Sequence, residues 1–143
     1  MKPKARGPFI VLNLDPVEAD HACLREIMGP FQWTVTSIPS AEAALEMLRA
    51  ERIPIVMCES DQRPGLWQKI IEKVTNLPDP PYVIVTSRLA DDRLWAEALN
   101  LGAYDVLAKP FDRTEVTRIL NSAWRRWSER PAVAAAAAAA CVA

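Results

Sequence analysis

The chemically capable residues of this sequence stand just beyond short apolar runs. Lys109 follows Val106–Leu107–Ala108 and precedes Pro110. The residue before a proline is pushed out of the α region, so Lys109 must sit in extended chain past a strand end. Thr86 and Ser87 follow the run Tyr82-Val-Ile-Val85, and Glu59 is the first charged residue after Ile53–Cys58. Carboxyl ends of parallel strands are where α/β proteins bind ligands. A lysine there is a movable point charge suited to an anion. The remaining reactive residue types offer less. His21, the sole histidine, has no ligand partner or nearby nucleophile, and a solvent-facing position is expected for it. Cys23, Cys58 and Cys141 have no metal or redox spacing. Cys58 lies in an apolar run and reads as a small hydrophobe. No glycine-rich phosphate loop, nucleophile elbow or metal cluster is present.

The elements that must position these groups alternate between strand and helix. Phe9-Ile-Val-Leu12 is a buried parallel strand by its length and β-branching. Asp15-Pro16-Val17-Glu18 predicts a capping box with a helix starting directly after it, Ala22, Ile27 and Met28 facing inward and Gly29-Pro30 ending it. Gln32 to Ser37 alternates as a half-exposed edge strand. Ser40 caps a second helix with Ala44, Leu45 and Leu48 on one face. Ile53–Cys58, apolar on both faces, predicts a central strand with Pro54 at its entrance. Leu66, Ile70, Ile71 and Val74 then mark a third helix, Tyr82–Val85 a fourth strand, and Asp91 the cap of a fourth helix whose buried stripe is Leu94, Ala98 and Leu101. Gly102 stops it, since glycine enters the left-handed C′ conformation without a Cβ penalty. After the Val106–Ala108 strand, Asp112 and Glu115 form a capping box for a last helix with Val116, Ile119, Leu120 and Ala123 inward. The order βαβαβαβαβα demands a parallel sheet with right-handed crossovers and helices on both faces. A flavodoxin-like (βα)5 three-layer sandwich with strand order 2-1-3-4-5 is the most economical solution.

The block Leu101 to Phe111, LGAYDVLAKPF, resembles the end of the CheY-like receiver domain of bacterial two-component response regulators, which typically read G-A-x-D-Y-L-x-K-P-F there. The resemblance extends over Phe9 to Trp127 and implies a set of positions above the sheet. In the family an aspartate ending strand three takes a phosphoryl group from a histidine kinase, and two acidic residues ending strand one hold Mg²⁺. A serine or threonine after strand four and a lysine after strand five bind the phosphoryl oxygens, and the lysine–proline bond is usually cis. Thr86, Lys109 and Pro110 match. The family's D-D-E-P is replaced by Asn13-Leu14-Asp15-Pro16, so Mg²⁺ binding is expected to be lost or very weak, with Asp15 and Glu59 the poor remaining metal candidates. Glu59 holds the phosphoacceptor column, with Asp61, two residues further into the loop, as its rival. One extra methylene carries the Glu59 carboxylate roughly 1.5 Å farther from the backbone. Two readings of Glu59 follow: partial imitation of a phosphorylated aspartate through a pair with Lys109, or a surface carboxylate in a structural ion pair with Lys109 and no switching role. Val106 stands where the family's aromatic switch residue belongs, which removes the usual inward swing coupled to the threonine.

At 143 residues with a formal net charge of −1, the chain is long enough for one domain and has no global attraction for nucleic acid or anionic membrane. A flexible lead-in over 1–8, a receiver domain over 9–128 and an alanine-rich tail over 129–143 are expected, with no bilayer-spanning run and a cytoplasmic location. The expected function is a non-enzymatic, single-domain receiver in a phosphorelay, acting as a phosphorylation-independent protein-interaction module without a cofactor. A histidine kinase or a downstream signalling protein is the expected partner, with homodimerisation through the last two helices and strand five in view. Trp95, Trp124 and Trp127 lie on those helices, and at least one is expected near the surface. Arg118 with Arg125-Arg126 makes a small basic patch, most simply a favourable charge at a helix C-terminus. Two alternatives stay open: a conventional Mg²⁺-dependent receiver using Glu59 or Asp61, and an unrelated flavodoxin-like ligand-binding protein.

Overall fold

A computed structural model describes residues 9–130. The expected lead-in and the alanine tract lie outside the described residues. Five parallel strands form one sheet in the order β2-β1-β3-β4-β5: β1 Ile10–Leu14, β2 Thr34–Ser37, β3 Ile55–Glu59, β4 Tyr82–Ser87 and β5 Asp105–Ala108. Helices α1 Glu18–Met28, α2 Ala41–Ala50, α3 Leu66–Val74, α4 Asp92–Leu101 and α5 Arg113–Ser128 connect and follow them. This is the flavodoxin-like (βα)5 arrangement that the alternating pattern requires.

The central strand β3 is buried at every residue, and two apolar layers form on either side of the sheet. Leu12, Leu14, Val56, Cys58 and Val106 face the layer shared with α2, α3 and α4. Val11, Ile55, Met57, Ile84 and Leu107 face the layer built with α1 and α5. The period-2 alternation of side chains along each strand divides the run in this way.

Local signals set most boundaries. Ser40, Asp91 and Asp112 each accept a backbone N–H three residues on, from Ala43, Leu94 and Glu115. Gly102 ends α4 at φ 112°, and the Ala103 N–H reaches back to Ala98 O at 2.9 Å, the longer bond of a Schellman stop. That turn tucks Ala103 into the core and leaves Leu101 45% exposed, so the stripe expected from Leu94, Ala98 and Leu101 ends at Ala98. The start of α1 also differs from the expected capping box. Val17 occupies the N-cap with no side-chain bond, while Asp15 Oδ1 accepts the Val17 N–H at 2.9 Å in a separate turn. The buried face of α1 is therefore His21, Leu24, Ile27 and Met28, and Ala22 is exposed. Gln32 takes a left-handed turn ahead of β2 and is not part of the strand.

At the amino ends of the strands an aromatic and arginine cluster holds α5. Phe9, Trp33 and Trp124 pack edge to face with centroids 4.8 to 6.4 Å apart. The Arg52 guanidinium lies 4.4 Å above the buried Trp127 ring and pairs with Asp79 at 2.8 Å, and Arg130 pairs with the same Asp79 at 3.4 Å and covers Tyr82.

Gly102→Ala should cost about 1–2 kcal/mol in urea unfolding, the penalty of a Cβ in left-handed backbone. A Cβ there would meet only Ile71 Cγ2 at an ordinary 3.7 Å, so no steric term adds to it.

Candidate functional site

Four strand ends bring the expected residues to one edge of the sheet. Parallel register sets Asn13 beside Met57, Leu14 beside Cys58, and Glu59 beside Thr86. Lys109 follows β5 directly, and its bond to Pro110 is cis. Asn13, Asp15, Glu59, Thr86, Ser87 and Lys109 are all buried.

The expected pair between Glu59 and Lys109 does not form. Lys109 turns toward β1 and α1, where its Nζ lies 2.8 Å from Asp15 Oδ2 and donates to Asp20 Oδ2 at 3.0 Å. The Asp15 contact is an ion pair whose angle falls outside hydrogen-bond geometry. Two carboxylates on the α1 side outcompete one on β3, and a lysine stem is long enough to choose. Burial pushes the Lys109 pKa down, but contacts with Asp15 and Asp20 outweigh it and leave the value raised above the usual 10.5.

Glu59 is 0% exposed and closes on its own loop, Oε2 accepting the Gln62 N–H. Its Oε1 has no hydrogen-bond partner among the described residues, and neither does Thr86 Oγ1 on the neighbouring strand. Asp61 is exposed and spans two loops, accepting from Ser87 Oγ at 2.7 Å and from the Arg88 N–H at 2.8 Å. Val106 is buried in the apolar layer, 2% exposed. Burial also pushes the neighbouring Cys58 thiol up to about 12, as expected of an inert core cysteine.

His21 is not on the solvent face. It is 8% exposed, and Asn13 Nδ2 donates to its Nδ1 at 3.0 Å, which leaves the neutral ring's proton on Nε2. Its position one turn before Leu24, on the stripe that continues to Met28, is the signal that would have placed it inward. Asp20 and Arg88 are further site residues not singled out from the sequence. Asp20 lies in the first turn of α1, which points its side chains back toward the strand ends, and Arg88 stands two residues after Thr86.

The family's Mg²⁺ does not fit these donors. Leu14 offers no oxygen, Asn13 is tied to His21, and Asp15 has one oxygen on Val17 N–H and the other on Lys109. Glu59 is sealed below its loop. The one unpartnered carboxylate oxygen of Glu59, Oε1, is wholly buried, a poor ligand for a hard cation that keeps several waters. A polar cleft of about 330 Å³ does open beside Asp15, but it is lined by Glu18, His21, Ser37 and Arg63 and not by Glu59.

No family model matches the sequence. The chain is 30% identical over 124 residues to the two-component response regulator ORR6 of Oryza sativa subsp. japonica, covering 82% of this chain and 72% of that protein. Two solved structures share the fold. A signal receiver domain of an HD domain-containing protein from Pseudomonas fluorescens Pf-5 superposes with TM-score 0.74 at 23% identity, covering 87% of this chain and all of that one. The beryllofluoride-activated NtrC4 receiver domain, solved as a dimer, gives TM-score 0.74 at 21% identity over 83% of this chain and 98% of its own.

Lys109→Ala leaves the buried Asp15 carboxylate without its cation, and should cost about 3–5 kcal/mol in urea unfolding. A loss within about 0.5 kcal/mol would place the pair among ordinary surface contacts. Alkaline titration supplies a second check. The charged lysine stabilises fully below its unfolded value near 10.5, and that contribution fades as pH climbs through the raised folded value. Native protein should therefore lose stability above pH 10.5 more steeply than Lys109→Met.

Proposed function

Because this chain belongs to the two-component response-regulator family and forms its receiver domain, we propose that it signals through a standing surface and not through phosphoryl transfer. One observation carries this reading: the lysine that would receive phosphoryl oxygens is already neutralised by Asp15 and Asp20, away from a Glu59 that is wholly buried. A phosphoryl group arriving at β3 would find Lys109 already engaged and no metal clamp, and both are sources of electrostatic stabilisation for such transfer. Both readings of Glu59 relied on Lys109, and Glu59 instead holds its own loop through the Gln62 N–H. It does not imitate phosphoaspartate through Lys109. The module is non-enzymatic and needs no cofactor.

The partner is a protein of the signalling pathway, a histidine kinase or a downstream component. The surface offered is α4 with β5 and α5, where Trp95 and Leu99 are each 41% exposed one turn apart. The same face would serve a homodimer. No helix among the described residues is long and apolar enough to cross a membrane, and a cytoplasmic location follows from the family reading.

A second reading keeps one supporting fact. Asp61 is the exposed carboxylate above the sheet and meets solvent where Glu59 does not. Intact mass after incubation with Mg²⁺ and acetyl phosphate separates the two. Native protein should gain no phosphoryl group, and neither should Glu59→Asp, because Lys109 remains engaged with α1. A phosphoryl adduct on the native protein that disappears in Asp61→Asn would install the conventional switch instead.

A further inference from the structure

The acid cluster above the sheet contains two built-in cations. Asp15 and Asp20 meet at the Lys109 ammonium, and Asp61 stands on the neighbouring β3–α3 loop. Lys109 serves Asp15 and Asp20 from below. Arg88 serves from above: its Nη2 donates to Asp20 Oδ2 at 2.8 Å and Oδ1 at 3.1 Å, while its backbone N–H donates to Asp61 Oδ2 at 2.8 Å. Asp20 Oδ2 is thus shared by a guanidinium and an ammonium. Ser87 adds a third tie by donating to Asp61 Oδ1. One residue of the β4–α4 loop therefore joins the β3–α3 loop to α1.

From this geometry we infer that Arg88 is a positioning residue that acts as an internal counter-cation, with Lys109, in place of a divalent ion. The inference rests on the metal-independent reading of the site and extends it to a residue outside the family positions. Asp15 and Asp20, two carboxylates held on one ammonium, repel one another unless positive charge is supplied. Two side chains supply it here, at fixed positions. Asp20 is only 14% exposed and depends on them, whereas Arg88 itself is 52% exposed and can be replaced without opening the core. Guanidinium suits the role because it spreads its charge over a planar fork and is weakly hydrated.

The test is the melting temperature of the full chain with 10 mM MgCl₂ against NaCl of equal ionic strength, for native protein, Arg88→Gln and Arg88→Lys. Native protein and Arg88→Lys should show no Mg²⁺-specific shift. Arg88→Gln should melt lower, and Mg²⁺ should restore about 2 °C or more of the loss, a shift that reads as a fraction of a kcal/mol at this chain length. A merely structural contact would lower the melting temperature without creating a Mg²⁺ response. If neither native protein nor Arg88→Gln responds, or if Arg88→Lys responds as Arg88→Gln does, the counter-cation role is overturned and the proposed function stands. If native protein itself is stabilised by Mg²⁺, the metal-independent reading fails, and this inference with it.

Discussion

The structure turns on where a single buried ammonium goes. Lys109 is 5% exposed at the end of β5, and a charge in such a place must find partners or lose its proton. It finds Asp15 and Asp20, so strand β5 is fastened to the β1–α1 turn across the top of the sheet. Every other feature of the site follows from that attachment. Asp15 is withdrawn from metal ligation, Glu59 is left to satisfy itself on its own loop, and Thr86 faces a glutamate instead of a receptive lysine. The receiver fold is retained while its chemistry is rearranged.

The substitutions at the ends of β1 and β3 support one another physically. With Asn13 and Leu14 at the end of β1, positions 13 and 14 carry no carboxylate, and Asn13 is free to bind His21. With glutamate at position 59, a longer carboxylate can curl back to Gln62 N–H and need not stand upright over the sheet. Val106 then packs in the apolar layer as an ordinary core residue. Its burial at 2% exposure leaves it a packing residue between β5 and the helices of that layer.

Much of this was legible because the signals were local. Ser40, Asp91, Asp112 and Gly102 fix helix ends through bonds spanning a few residues, and the apolar runs of β1, β3 and β4 fix the sheet. The site itself was legible as a set of positions but not as a set of bonds. Lys109 chose partners 94 and 89 residues away over Glu59, and that choice depends on rotamers and on the turn that carries Asp20 back over β1. Two misreadings share one cause. A helix at Asp15-Pro16 would have put Ala22 inward, whereas the turn at Asp15 delays α1 to Glu18 and its stripe carries His21 into the site.

The two ends of the sheet are held by different forces. The carboxyl ends are tied by charges, and the amino ends by the ring stack of Phe9, Trp33, Trp124 and Trp127 under Arg52. At the base Trp33 and Trp127 are buried and Phe9 and Trp124 half-buried, while the Arg88 strut at the top is half in solvent, where salt screens it. Salt therefore reaches the Arg88 strut on the rim, while the packed rings of the floor hold by contact that salt does not screen.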